Sequence, residues 1–263
     1  MTDSNQEISI PNESDRHTPV ISVVIPSLQE GKYIRRTLTQ LTPDVRKRFQ
    51  CEVIVSDGGS TDDTVGVANE LADSVIVHDR PGRQTIAAGR NRGAEHAKGS
   101  ILVFLNADTV IENPADFFPG VLKMFSAEHT HGRVAGATCS VCIYPEEERV
   151  VDIIFHNFFN YYFWILNHIG LGMARGECHI LRREIFEKVG GYDESLVAGE
   201  DFDLFVRLRR LGSIRFIRHV KVFESPRRFR RYGYRRILWL WFLNGISVLF
   251  RGRSISSEWE PIR

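Results

Sequence analysis

Four short apolar runs punctuate the first part of the chain: Val20–Ile25, closed by Pro26, then Val53–Ser56, Ser74–His78 and Ile101–Leu105. None of them alternates between apolar and polar residues, which fits strands buried on both faces, as in a parallel sheet. The segments between them, Gly31–Leu41, Asp62–Ala72 and Arg83–Lys98, carry helical patterns. Strand and helix in alternation predict an α/β fold with crossover connections. Ser60-Thr-Asp-Asp63 resembles a capping box opening the second of these helices. After Cys142 the alternation weakens, but no repeat and no linker composition marks a boundary, so the second half is expected to pack onto the first. The predicted fold is Rossmann-like, a mostly parallel sheet flanked by helices, with an amphipathic helical extension at the C-terminal end.

In open α/β sheets, ligands bind beyond the carboxyl ends of the strands. Here those ends carry Pro26-Ser-Leu-Gln-Glu30, Ser56-Asp57-Gly58-Gly59-Ser60 and Asn106-Ala-Asp108. Gly58-Gly59 permits close backbone approach to a ligand. Asp57 is either an acceptor for a base or ribose, or a carboxylate that serves its own turn. There is no GxGxxG and no GxxxxGK[ST], so neither a dinucleotide site nor a P-loop is indicated.

Taken in order, Ile25-Pro-Ser-Leu-Gln-Glu30, Val55-Ser-Asp-Gly-Gly-Ser-Thr-Asp62 and Phe104-Leu-Asn-Ala-Asp-Thr109 resemble the family 2 glycosyltransferases of GT-A fold. Gly190-Gly-Tyr-Asp-Glu194 and Gly199-Glu-Asp-Phe-Asp-Leu204 resemble that family's acceptor-side signature. The resemblance covers roughly Ile21 to Ser225. It implies transfer of a sugar from a nucleotide-sugar donor, usually with inversion, assisted by Mg²⁺ or Mn²⁺. It implies that Pro26, Glu30 and Asp57 line a nucleoside pocket, with Arg83 near the base or diphosphate. Asn106-Ala-Asp108 takes the place of the family's Asp-x-Asp, and Asp201, beside Glu200, that of the general base. Asn106 departs from the usual carboxylate but still offers an amide oxygen to a ribose hydroxyl or a metal-bound water. A retaining transferase and a sugar nucleotidyltransferase are the nearest alternatives.

The chemistry asks for such residues. Loss of a nucleoside diphosphate leaves negative charge on phosphate oxygens, which a cation held by hard oxygen ligands neutralises. Asp108 suits that role, and either His219 or Glu224 is a candidate second ligand, although His219 reads more readily as a plain surface or core histidine. The attacking hydroxyl needs a base, and Glu200-Asp201 precede Phe202–Leu211, a helical pattern stopped by Gly212. The plain alternative is that both acids merely favour a helix N-terminus.

The 34 basic and 33 acidic residues nearly cancel, to a net charge of +1, but they are unevenly placed. From Ile214 to Arg263 there are 12 Lys/Arg against 3 Asp/Glu, a local +9, and the rest of the chain carries 22 against 30. Six arginines fall within Arg227–Arg236, directly before Leu238-Trp-Leu-Trp-Phe242. Arginine pairs bidentately with phosphate. Arg227 and Arg228 are placed to reach a donor diphosphate. Arg230–Arg236, flanking Trp-rich sequence, fit an anchor on an anionic membrane surface, or else a solvated basic face over a core helix. The expected acceptor is lipid-linked or otherwise apolar. A nucleic-acid-binding role for the arginine cluster conflicts with the acidic body.

Two apolar stretches, Ile153–Ala174 and Ile237–Phe250, are respectively too polar and too short for a transmembrane helix, and suit interfacial or core helices. Cys139 and Cys142 have half the spacing of a zinc site with no answering pair, so they are read as small core residues of a strand at Val134–Tyr144. The first 19 residues are polar and lack the apolar core of a signal peptide. The resulting division is a disordered leader at 1–19, a GT-A domain at 20–225 and a basic, aromatic extension at 226–263. The expected location is cytoplasmic, peripheral on the inner face of the cell membrane.

Overall fold

The computed structural model describes residues 19–79, 82–126 and 133–251, with side chains on the last helix described through Asn244 and at Ser247. The expected leader, apart from Pro19, and the end of the expected extension lie outside the described residues. The strands are β1 (Ile21–Ser27), β2 (Cys51–Asp57), β3 (Ser74–Val77), β4 (Ile101–Leu105), β5 (Thr109–Ile111), β6 (Val134–Ile143), β7 (Cys178–Arg182) and β8 (Ser213–Glu224). The helices are α1 (Ile34–Thr39), α2 (Pro43–Phe49), α3 (Thr64–Leu71), α4 (Ile86–His96), α5 (Pro114–Ser126), α6 (Val150–His168), α7 (Arg183–Lys188), α8 (Glu200–Leu208), α9 (Arg227–Tyr232) and α10 (Tyr234–Arg251).

All eight strands form one sheet in the order β3-β2-β1-β4-β7-β6-β8-β5. The first four strands are parallel, β7 is antiparallel to both β4 and β6, and β5 is antiparallel to β8. Successive residues of β1 feed opposite faces: Ile21, Val23 and Ile25 join one apolar cluster with Phe117 and Phe118, while Val24 joins another with Ala87 and Phe104. Both faces are therefore covered, which is why the strand sequences read as unbroken apolar runs. Each buried Val or Ile contributes roughly 1.5–3 kcal/mol relative to exposure.

Strand order reverses between β1 and β4, and the two strands part at their carboxyl ends. β1 pairs with β2 through Ser27 but with β4 only through Val24. Pro26, which has no N–H for a ladder, is tolerated because β1 has already left β4 there. α4 lies close on this strand: a Cβ at Gly93 would come within 2.3 Å of Val24 Cγ1. A glycine is required there, and it sets the depth at which the rest of α4 meets the strand ends.

The capping box does not form. The N-cap of α3 is Asp63, with no side-chain cap. Ser60 turns instead to Asp57, and Asp62 Oδ1 accepts from the Thr64 backbone N–H at 3.1 Å. α2 lacks a clear apolar period, and Thr42-Pro43 supplies its N-cap and first helical residue.

The two apolar stretches fall in α6 and α10. These helices meet through Phe155, Phe159 and Trp241, over a small core containing Phe229 and Ile237. Among the described residues no helix is long and apolar enough to cross a membrane. Cys139 and Cys142 are free thiols of β6.

Candidate active site

A cavity of about 580 Å³ opens where β1 and β4 diverge. Its walls include Pro26, Glu30, Arg83, Asn106, Asp108, Glu200, Asp201, Arg227 and Arg228. Residues expected from five separate stretches of sequence thus converge on one space.

Two expected residues stand elsewhere. Asp57 is fully buried beneath the cavity wall, with donors on both oxygens. Oδ1 accepts from the backbone N–H groups of Gly59 and Ser60 at 2.9 and 2.7 Å, and Oδ2 from the hydroxyls of Ser27 and Ser60 at 2.9 and 2.6 Å. Its place is that of the turn carboxylate, which shapes Gly58-Gly59 from below. His219 is exposed and lies beside Gly120 of α5. The register of β8 on β6 slips between Ile217 and Lys221, and this bulge carries His219 away from the cavity. The other candidate ligand, Glu224, ends β8 on the cavity wall.

Beyond the carboxyl ends of β1 and β4, Arg227 forks onto Glu30, with Nη1 to Oε2 at 2.8 Å and Nη2 to Oε1 at 2.6 Å. The same Nη2 lies 3.1 Å from Asp108 Oδ2. Burial pushes the Glu30 carboxyl up to about 6 against the pull of Arg227, and burial likewise raises that of Asp108. Tyr144 donates its hydroxyl to the Asp108 carbonyl at 2.5 Å, fixing the backbone of this turn. Gln29, at φ 58°, accepts from the backbone N–H groups of Thr61 and Asp62 and donates its own N–H to Ser60, lacing the loops after β1 and β2 together.

Sequence reasoning missed Arg90, which joins Asn106 to Glu200. Its side chain is 1% exposed, and it donates to Asn106 Oδ1 at 3.1 Å, to the Gly176 carbonyl at 2.6 Å and to Glu200 Oε1 at 3.0 Å. The amide oxygen of Asn106 is therefore already engaged by protein. Next in chain from Glu200, Asp201 accepts from the Phe202 backbone N–H at 2.8 Å. Burial and the adjacent Glu200 charge push the Asp201 carboxyl up to about 7, although Arg90 opposes this. Both acids occupy the first turn of α8, so they also face its N-terminal dipole.

Arg175 and Glu177 were also missed. Arg175 donates to Glu224 Oε1 at 2.6 Å, and its Nε lies 3.3 Å from Glu177 Oε2. Burial and Glu177 hold the Glu224 carboxyl well above the carboxylate range, and burial with Arg175 holds His156 down at about 3. Glu177 Oε2 is buried with no hydrogen-bond partner. Among the described residues no three acidic, histidine or cysteine side chains form a closed metal cage. Asp108 and Glu224 are instead hard oxygen donors facing an open space, which suits a cation ligated largely by a bound diphosphate.

An α/β sheet with its ligand space at the parting of β1 and β4, extended by antiparallel strands, is the GT-A arrangement of glycosyltransferases. Residues 22–190 match the profile described as glycosyl transferase family 2, and the chain belongs to that family. It is 26% identical over 217 residues to O-antigen biosynthesis protein RfbC of Myxococcus xanthus, covering 75% of this chain and 16% of that one. To the probable glycosyltransferase YdaM of Bacillus subtilis it is 24% identical over 237 residues, covering 86% and 56%. The chain thus spans little more than half, or far less, of these relatives' length. Among solved structures, the mannosyltransferase PcManGT from Pyrobaculum calidifontis, in complex with GDP-Man and Mn²⁺, superposes with a TM-score of 0.68 at 20% identity. That match covers 89% of this chain and 65% of the other.

Proposed function

We propose that the protein transfers a sugar from a nucleotide-sugar donor to an acceptor hydroxyl with inversion, using Asp201 as general base. The observation that carries this reading is a carboxyl raised to about 7 on the wall of the same cavity as Glu30, Asp108 and Arg227. A base poised near neutral pH is half available to take a proton and strong enough to hold it. The acceptor oxygen attacks the anomeric carbon from the Asp201 side. As the new C–O bond forms, the bond to the phosphate oxygen breaks, the nucleoside diphosphate leaves with the electron pair, and the hydroxyl proton passes to Asp201. Inversion follows from attack on the face opposite the leaving group.

Pro26, Glu30, Arg83 and Asn106 line the donor end, and Arg227 and Arg228 supply the positive charge a diphosphate needs. A Mg²⁺ or Mn²⁺ ion held by Asp108, with Glu224 as second carboxylate, would neutralise charge developing on the departing phosphate. Arg90 keeps the donor and acceptor ends in fixed relation. Phe163, Met173 and Trp241 give the cavity an apolar side, which favours a lipid-linked or otherwise apolar acceptor.

Asp201→Asn tests the assignment: sugar transfer is abolished while nucleotide affinity stays within about twofold, a free-energy change well under 1.4 kcal/mol. Wild-type turnover in that variant refutes it. NMR of the product's anomeric configuration separates inversion from retention, and release of pyrophosphate would identify a nucleotidyltransferase.

A further inference from the structure

α10 is apolar on two sides: it buries Ile237 and packs Trp241 against α6, yet it also turns apolar residues outward. Its exposed face carries Arg235, Leu238, Trp239 and Phe242, spaced i, i+3, i+4 and i+7, while Asn244 is turned inward. Trp239 and Phe242, 60% and 56% exposed, stack on each other at 5.8 Å, and with Arg235 and Leu238 they line one shallow surface hollow. α6 repeats the pattern. It buries Phe155 and leaves Val150, Ile154, Phe158 and Tyr161 in solvent, Phe158 at 63%. Scattered exposed apolar residues need no explanation, but two packed helices that each expose an aromatic stripe do.

The charges around these stripes select the partner. No acidic residue occurs in 227–251, and the one acid of α6, Asp152, is buried and spent on Arg230, Tyr234 and the Arg149 backbone N–H. The acidic turn lies before α6, and its Glu146 is paired with Arg36. A second copy of this chain seated on the face through a two-fold axis would set Arg235 and Arg236 against their own counterparts. A bilayer offers hydrocarbon for the Phe and Leu side chains, an interface for Trp and Tyr, and phosphate for the arginines.

We propose that the exposed faces of α6 and α10 form a docking surface for an anionic lipid bilayer. The same two helices supply Phe163, Trp241 and Asn244 to the cavity wall, so docking sets the cavity beside the lipid surface. That an acceptor is met there rests on the transfer reading above; the docking itself does not.

The test is flotation of the full chain with phosphatidylcholine vesicles, with and without phosphatidylglycerol. The chain is expected to float with the phosphatidylglycerol vesicles and to be released by salt. The double variant W239S/F242S, and separately F158S, should weaken partitioning about tenfold or more, and R235E/R236E should remove the salt-sensitive part. Thermal unfolding and donor turnover without lipid should stay at wild-type values, because none of these side chains lines the cavity. Wild-type protein left unbound by both kinds of vesicle overturns the proposal. So does a dimer in sedimentation velocity that W239S/F242S dissolves. If vesicle binding follows this pattern while Asp201→Asn stays active, the docking surface stands and the transfer mechanism alone falls.

Discussion

Arg227 and Glu30, 197 residues apart, close a two-bond fork that joins the segment after β8 to the loop after β1. In the same position Arg227 lies against Asp108, the carboxylate proposed to hold a cation. One guanidinium therefore faces two carboxyls that burial raises, and on the proposed reading a bound diphosphate competes with both for it.

Removing that guanidinium leaves Glu30 buried without its ion-pair partner, and leaves Asp108 only the weaker pull of Arg228. Arg227→Ala is expected to destabilise the fold by about 3–5 kcal/mol, less if water enters. It should also weaken nucleoside diphosphate binding at least tenfold, about 1.4 kcal/mol. Arg227→Lys restores charge but not the fork, so it should recover part of the affinity and little of the stability. Urea unfolding and calorimetric titration with UDP and GDP measure both.

Asp108→Asn should abolish the part of donor affinity that depends on Mn²⁺ and leave binding in chelator unchanged or stronger, since Arg227 loses a competing partner. An equal dependence on Mn²⁺ in wild type and variant would exclude Asp108 as the ligand.

The Asp201 proton gives a pH signature of definite sign. Its ordinary value is 3.8 and its folded value about 7. Between those limits the folded chain holds a proton that the unfolded chain has lost, so this group's contribution to stability falls as pH rises through the window. Asp201→Asn should therefore raise Tm more at pH 8 than at pH 4. The acid limb of kcat/KM should lie near 7, and Glu200→Gln, by removing a neighbouring negative charge, should move it to lower pH.

Gly93→Ala places a methyl group against Val24, and overpacking of this kind costs about 1–3 kcal/mol. Val24→Ala in the same chain makes room, so the double variant should be more stable than the sum of the two single changes predicts. Additive losses in urea unfolding would show that α4 shifts freely on the sheet.

The first half of the fold was legible because β1, β2 and β4 are buried on both faces and spell this out as apolar runs. β8 was not: Ser213–Glu224 is rich in Arg, His and Lys, and its bulge breaks the pattern. At the site, carboxylates and glycines at strand ends announced themselves by position. Arg90 did not, because an arginine inside Gly89-Arg-Asn-Arg-Gly93 reads as a solvated helical residue until Glu200, 110 positions away, is known to face it. Asp57 and His219 mark the opposite limit. A turn carboxylate and a ligand carboxylate share one local sequence, and a bulge that rotates a histidine outward leaves no sign in residue type. The arginine cluster proved divided as well, with Arg227 and Arg230 committed to Glu30 and Asp152.

Arg90 carries a consequence for anyone altering what this enzyme accepts. Its guanidinium holds Asn106 with one arm and shares the other end of its plane with Glu200, in a place too dry for water to absorb a change. Substitutions at Asn106 and Glu200 will be non-additive, and a double-mutant cycle between them should return a coupling of about 0.5–3 kcal/mol. Asn106 and Glu200 are then yoked through one guanidinium: neither can drift far without compensation in the other.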